Sequence, residues 1–591
     1  MHKFELKSSK KMYRLERLSD FYFEINSNSL PSEKIIISDL RNLFIGPRTN
    51  FCDFCFKHRY LCYLSEQTFL GGQNSALPEN WQEFLSEDFF DFVDNALETS
   101  EHDLWNLWDL KSSEGSAFEL IPYDMCDECF PRKNVELSLD SEVNQEGSIL
   151  LDKFLNKLKS CPVKDNSELF KFLFEDSFGF VSYFNTFAEA GFGDKDLEKS
   201  LDAHCVSTLL SVMPTSRGGS ETVMCGAQDT DEEISKIKAV MEFIERYSLH
   251  NLIFKSQEMH TKEELEELEK KFSIVDVSSF LNLFDSKVTT SKGKESLYSD
   301  LVWSVDIVNA SKALLPLNCL YSIGKISFIR PSSSGFAAHY DSNKALESSV
   351  LELIERDSFF RFWFKPETAE VLELNSELQG SLDNVIKMLK VSLGNDHLQA
   401  KVLLLKSPLD VPVAFAYITS DDLSKPPALI SGFGASLELD DAIYHALKEL
   451  RIGGLNLIAR FQKDSSWIDE KIDFSSFENM KTPQDHMYFY HHPSVKSHVK
   501  FLKYFEDKEP TLLFQNIGPK NLDELRDAFK KNNMHWYAID ATPVVFEKYG
   551  VFVVRSFSPE LYPLQFGANV AFDMNNISSV SVAKEMPHLF T

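Results

Sequence analysis

Val240-Met-Glu-Phe-Ile-Glu-Arg-Tyr-Ser248 returns 110 residues later as Val350-Leu-Glu-Leu-Ile-Glu-Arg-Asp-Ser358, with six of nine positions identical. Both copies sit in helical patterns. Thr230 and Glu233 predict a capping box ahead of the first, and Ser342 predicts the N-cap of the second. On a helix, glutamates at i and i+3 are neighbours on one face, so Glu242 with Glu245 and Glu352 with Glu355 are two paired carboxylates. Met241, Phe243, Leu351 and Leu353 hem in Glu242 and Glu352, where an ionised carboxylate without a partner suffers a desolvation cost. Four carboxylates facing one another call for a divalent cation, and Mg2+ typically arrives with phosphate oxygens as further ligands. A magnesium nucleotide is the simplest guest. The bland account is that Glu-x-x-Glu-Arg also occurs on solvated helices, and that shared ancestry of two half-domains by itself explains a repeat. A fainter third version, Ala446-Leu-Lys-Glu-Leu-Arg451, follows Gly432-Phe-Gly-Ala435 and an N-cap expected at Asp440 or Asp441. Gly-x-Gly alone is too weak a pattern to be read as a phosphate loop.

Working outward, Lys401–Leu405, Val411–Tyr417 and Val551–Arg555 read as strands alternating with amphipathic helices, which predicts a mixed α/β (α+β) fold. Thr261 to Lys271 reads as an exposed helix with its own capping box and no chemistry. Upstream, Cys52-Asp-Phe-Cys55 and Cys126-Asp-Glu-Cys129 are two knuckles of thiolates, a closed tetrahedral set suited to a structural zinc. The other reading is four unrelated buried or redox-active thiols. Cys62, Cys161, Cys205, Cys225 and Cys319 stand alone and read as small core residues. His486, His491 and His492 read as surface or packing residues. The polar run from Ser138 to Ser148 marks a linker, giving a zinc-binding domain over 1–145, a linker over 146–165 and a larger domain over 166–591.

The 591 residues are 43% apolar and 26% charged, an ordinary globular composition with no apolar run long enough for a signal peptide or a membrane span. The expectation is a soluble, cytoplasmic protein. Lys plus Arg number 61 against 90 Asp plus Glu, a formal charge of -29 that repels phosphate backbones, so nucleic acid is not an expected partner.

Ser334-Gly-Phe-Ala-Ala-His-Tyr340, then Lys344-Ala and Glu352-Leu-Ile-Glu-Arg-Asp357, resembles the central signature of the YcaO family, and the resemblance runs from about Glu168 to the C-terminus. Gly432–Ala435 with Ala446–Glu449, Ile539–Thr542, Val553–Pro559 and Pro563–Gly567 resemble that family's later motifs. The resemblance implies an ATP-binding domain with an internal pseudo-repeat. In it Glu242, Glu245, Glu352 and Glu355 hold the magnesium ions of ATP, while Arg246 and Arg356 contact phosphate or brace the acids. Glu352, Glu355 and Arg356 are the implied catalytic set. Ile45-Gly-Pro47 leading into Cys52, Cys55 and Arg59 resembles the zinc-bearing end of E1-like, ThiF-related partner proteins of azoline cyclodehydratases. Fewer than fifty residues precede Ile45, so a separate E1-like subunit is expected to recognise the leader peptide.

The implied reaction is ATP-dependent cyclodehydration of a ribosomal precursor peptide, as in the making of thiazole/oxazole bacteriocins. Cys, Ser or Thr side chains close on the preceding amide to give azoline rings. A flavin-dependent azoline dehydrogenase and a homodimer are further possible partners. Thioamide or amidine formation by the same activation, and a non-catalytic scaffold subunit, are the alternatives. Four positions depart from the pattern. Tyr340 and Lys344 stand where many members have Asn and Glu, Lys238 where Ser is common, and the tail Pro587–Thr591 keeps only part of a Pro-rich ending.

Overall fold

The computed structural model describes residues 3–7, 12–18, 22–26, 34–39, 42–47, 52, 55–57, 59–62, 89, 92–93, 95–96, 105–109, 115–118, 166–176, 180–188, 205–214, 220–251, 256–258, 268–270, 272–283, 300–320, 333–474, 477, 480, 482–510 and 518–564. Two compact units emerge: Met1–Asn134 with Val163–Thr186 and Ser207–Gly226, and Val135–Pro162 with Phe187–Val206 and Ala227–Thr591. Cys126, Cys129, Cys161, the expected linker and the C-terminal tail lie outside the described residues, as does most of Thr261 to Lys271, of which 268–270 is helical.

The first unit holds a seven-stranded antiparallel sheet in plain sequence order, from Lys3–Lys7 to Gly115–Phe118. Alternation along Lys34–Ser38 sends Ile35 and Ile37 to one face, where they meet Tyr22, Phe44, Phe56, Tyr60 and Trp105. The rings of Tyr22 and Phe44 meet Phe56 edge-on, with centroids 5.2 and 5.4 Å away. Cys52 and Cys55 are buried on one turn, closed by the Phe56 N–H on the Cys52 carbonyl at 2.9 Å. Arg59 is buried with its guanidinium 3.4 Å from the centre of the Phe180 ring. Cys62, Cys225 and Cys319 are buried as the sequence suggests, and Cys205 is half-buried.

In the second unit the strands are β1 (Asp300–Asp306), β2 (Ser311–Pro316), β3 (Phe336–His339), β4 (Leu398–Leu405), β5 (Val413–Ser420), β6 (Ile430–Ala435), β7 (Tyr537–Asp540) and β8 (Phe552–Phe557). One sheet runs Ser273–Ile274, β2, β1, β7, β8, β3, with Ser256–Glu258 also on β1. Another runs Glu370–Val371, β4, β5, β6, all antiparallel. The long helices are α1 (Glu232–Asn251), α2 (Ser342–Phe364), α3 (Ser376–Leu393) and α4 (Leu439–Lys463). The expected strands form, and β5, rich in β-branched and aromatic residues, is buried at every position. Leu382, Val385 and Leu389 of α3 and Ala446, Leu450 and Leu457 of α4 share one core with Val402, Ala416 and Ile418 of the sheet.

The caps of α1 and α2 fall one residue away from the sequence reading. Asp231, not Thr230, accepts the Ile234 N–H at 3.1 Å ahead of α1. Asp341, not Ser342, caps α2 by accepting the N–H groups of Asn343 and Lys344. In both cases an ionised carboxylate beside a hydroxyl wins, because it is the stronger acceptor and complements the helix dipole. Asp440 and Asp441 lie inside the first turn of α4, whose N-cap is Glu438 with no side-chain cap bond. His486, His491 and His492 are buried packing residues.

Candidate active site

Two glycines let α4 sit against β6. A methyl on Gly432 would stand 2.1 Å from the Ala446 carbonyl oxygen, and one on Gly434 would stand 2.2 Å from that of Ala442. The Gly-x-Gly is thus a strand surface cut away for a helix backbone. Gly335 has φ +78°, and a methyl there would meet Leu353 and the Ser556 carbonyl at 2.8 Å.

These close approaches bring the carboxylates of α1, α2 and α4 against strand N–H groups. Glu245 accepts from the Ala338 N–H at 2.9 Å and Glu352 from the Gly335 N–H at 2.6 Å, both at β3. Glu449 accepts from the Phe433 N–H at 2.9 Å, and Glu355 from that of Ala435, both on β6. Each arginine of the repeated motif turns back on the glutamate four residues earlier. Arg246 reaches Glu242 at 2.7 Å, and Arg356 reaches Glu352 at 2.9 Å. The cation expected beside Glu242 and Glu352 is therefore supplied, in the first instance, by the same helix.

Burial pushes the Glu245 carboxyl up to about 8, with Glu352 and Glu242 adding to the rise against the Ala338 N–H. Burial also raises Glu355, with Glu449 as the next cause, and raises Glu449 against the pull of the Phe433 N–H and Arg356. Glu352 is the hub, since its charge acts on Glu245, Glu355 and Glu449 alike. Arg555, buried in β8 with its guanidinium 4.8 Å from the centre of the Phe336 ring, is drawn down to about 10 by burial, while Glu352 supports its charge.

The structure thus gathers Glu242, Glu245, Arg246, Glu352, Glu355 and Arg356, and adds Glu449 and Arg555, which the sequence reading left without a role. Each had a signal. Glu449 lies in the faint third echo, and Arg555 is a lone charge in the apolar strand Phe552–Phe557. Among the described residues no three of these side chains already converge on one point as a formed metal site. An all-oxygen donor set whose buried members repel one another is nonetheless the chemistry that suits Mg2+, which keeps waters and phosphate oxygens among its ligands. Asp357 has another task, binding Arg361 at 2.6 Å and the Tyr562 N–H at 3.0 Å. Lys344 is exposed, and its charge is felt by His339 and Glu347.

A family model, YcaO cyclodehydratase, ATP- and Mg2+-binding, matches residues 226–562, more than half of the chain and the whole of this site. The chain belongs to the YcaO family and is an ATP-dependent cyclodehydratase. A solved heterocyclase in complex with substrate and cofactor is 16% identical, with 88% of this chain and 71% of that chain covered and a TM-score of 0.52, which shows the shared fold. YcaO from Methanopyrus kandleri bound with AMPPCP and Mg2+ is 15% identical over 64% of this chain and 85% of that one, with a TM-score of 0.44. The E. coli microcin synthetase McbBCD complex with pro-MccB17 bound is 12% identical over 69% and 96%, also with a TM-score of 0.44. No curated protein matches the chain. Among the described residues no helix is long and apolar enough to cross a membrane.

Proposed function

We propose that this chain forms azoline rings in a ribosomally made precursor peptide, activating backbone amides with ATP next to Cys, Ser or Thr residues. The observation that carries the reading is the set of glutamates gathered from three helices, Glu355 buried and Glu242, Glu245 and Glu352 half-buried, each held by a backbone N–H or an arginine and Glu352 by both. Glu242, Glu245, Glu352 and Glu355 are the residues assigned to magnesium, and Glu449 supports them. Bound there, the magnesium nucleotide supplies the phosphoryl group that turns an amide oxygen into a leaving group. The chain's part is positioning and charge neutralisation, which is most of what phosphoryl transfer asks of a protein. Arg246 and Arg356 hold Glu242 and Glu352 in place, and the N–H groups at β3 and β6 keep the remaining carboxylates from turning away. The peptide's own thiol or hydroxyl attacks the amide carbon, so no enzyme nucleophile is needed.

The N-terminal unit is assigned a structural zinc on Cys52, Cys55, Cys126 and Cys129, and a separate E1-like subunit is the expected leader-binding partner. A dehydrogenase acting on the azolines fits downstream. The test is magnesium-dependent release of ADP and phosphate by the purified protein, with and without a Cys/Ser-rich peptide and candidate partner subunits. Hydrolysis stimulated by peptide, loss of one water's mass per ring, and loss of both in Glu352→Gln are expected. Hydrolysis with peptide mass unchanged would overturn the azoline reading.

A further inference from the structure

Asp229, the last residue of the strand Ser220–Asp229, is held by two lysines at one oxygen. Lys238 Nζ stands 2.5 Å and Lys448 Nζ 3.2 Å from Asp229 Oδ2. Two ammoniums against one carboxylate leave one positive charge over. The side chains of Asp229 and Lys448 are 14% and 17% exposed while that of Lys238 is 50% exposed, so this excess is walled on the α4 side and open to solvent on the α1 side. Crowding two like charges there has a cost, and in a chain of net charge -29 a positive spot is not a by-product of composition.

The spot adjoins the carboxylates. Lys238 lies one turn before Glu242 on the same face of α1, and the charges of Lys238 and Lys448 both act on His445 of α4. Ala435 bridges the two groups, giving its N–H to Glu355 and its carbonyl to the His445 ring. A nucleotide held through magnesium still carries negative charge on its nonbridging phosphate oxygens, and lysine ammoniums are point-charge partners for such oxygens.

We propose that Lys238 and Lys448 form an anion clamp for the outer phosphates of ATP, with Asp229 as the internal anion that orders both ammoniums and competes with the guest. The clamp rests on the nucleotide reading above. It gives Lys238 a use at a position where the family commonly carries Ser, and it makes the site two-sided, with acids for the metal and lysines for the phosphates.

The experiment is titration of the full chain with ATP and with AMP, both with magnesium, and separately with an acidic Cys/Ser-rich peptide, for the wild type, Lys238→Met, Lys448→Met, Asp229→Asn and Glu352→Gln. Each lysine variant weakens ATP binding about tenfold, the scale of one charge-assisted contact, and leaves AMP nearly unchanged. Lys238→Arg keeps most of the affinity. Asp229→Asn tightens ATP binding by removing the competitor, a gain that a purely structural role for Asp229 would not produce. Lysine variants that bind ATP like the wild type, while Glu352→Gln does not, would remove the clamp and leave the nucleotide site standing. Unchanged ATP affinity with weakened binding of an acidic precursor peptide would reassign the lysines to the peptide. A wild-type chain that binds no ATP would bring down both readings.

Discussion

Gly432→Ala tests whether the placement of α4 serves the site. The added methyl would lie 2.1 Å from the Ala446 carbonyl oxygen, 2.3 Å from the Leu450 N and 2.9 Å from the Glu449 carbonyl carbon. All three are backbone atoms of one helix, so no side chain can swing aside and α4 must withdraw. Overpacking of this kind costs about 1–3 kcal/mol. Withdrawal also pulls Glu449 from the Phe433 N–H, now 2.9 Å away, and an orphaned buried donor adds roughly 1–3 kcal/mol. The expected loss is therefore about 2–6 kcal/mol, read as a lower urea midpoint, together with loss of magnesium-dependent ATP hydrolysis in whatever protein remains folded at low temperature. Gly380→Ala is the control. It sits within α3 with nothing within 4 Å of the added methyl, and should gain about 0.5–1 kcal/mol with activity unchanged. Gly432→Ala protein that is destabilised yet hydrolyses ATP at the wild-type rate would refute the claim that helix position sets the site.

Glu449→Gln keeps an oxygen for the Phe433 N–H but removes the charge, and should leave the fold intact while lowering ATP hydrolysis about 100-fold or more, measured by ADP release. His491 has no hydrogen-bond partner on either ring nitrogen among the described residues, and burial with the nearby Arg460 charge brings its pKa down to about 3. The unfolded imidazole titrates near 6.5, so between those values the unfolded state binds more protons and stability is lost as the pH is lowered, by about 1.4 kcal/mol per unit at the steepest. His491→Leu should flatten this acid limb, and equal slopes in urea midpoints between pH 7 and pH 5 would contradict it. Metal analysis of the purified chain should find zinc that is lost in Cys52→Ser, and retention of zinc in that variant would remove Cys52 from the ligand set.

The sequence alone determined the helices that carry the chemistry. A repeated Glu-x-x-Glu-Arg at helical spacing fixes which carboxylates share a face, since the 3.6-residue period is local. The strands around Lys401–Leu405 and Val551–Arg555 were legible for the same reason, as short apolar runs of β-formers. The caps of α1 and α2 were off by one because Asp and Ser or Thr stood side by side, and only the folded backbone chose between them. Tertiary structure alone decided what the carboxylates face. The repeat says nothing of Gly335, Ala338, Phe433 and Ala435, whose N–H groups hold four of the glutamates, because each N–H meets its carboxylate only when a strand packs back on a helix, 16 or 17 residues away for Glu449 and Glu352 and 93 residues away for Glu245. It also left Glu449, Arg555 and the lysines on Asp229 without a role. Their meaning depends on burial and on charges brought close by packing, and neither is written in the spacing of residues along the chain.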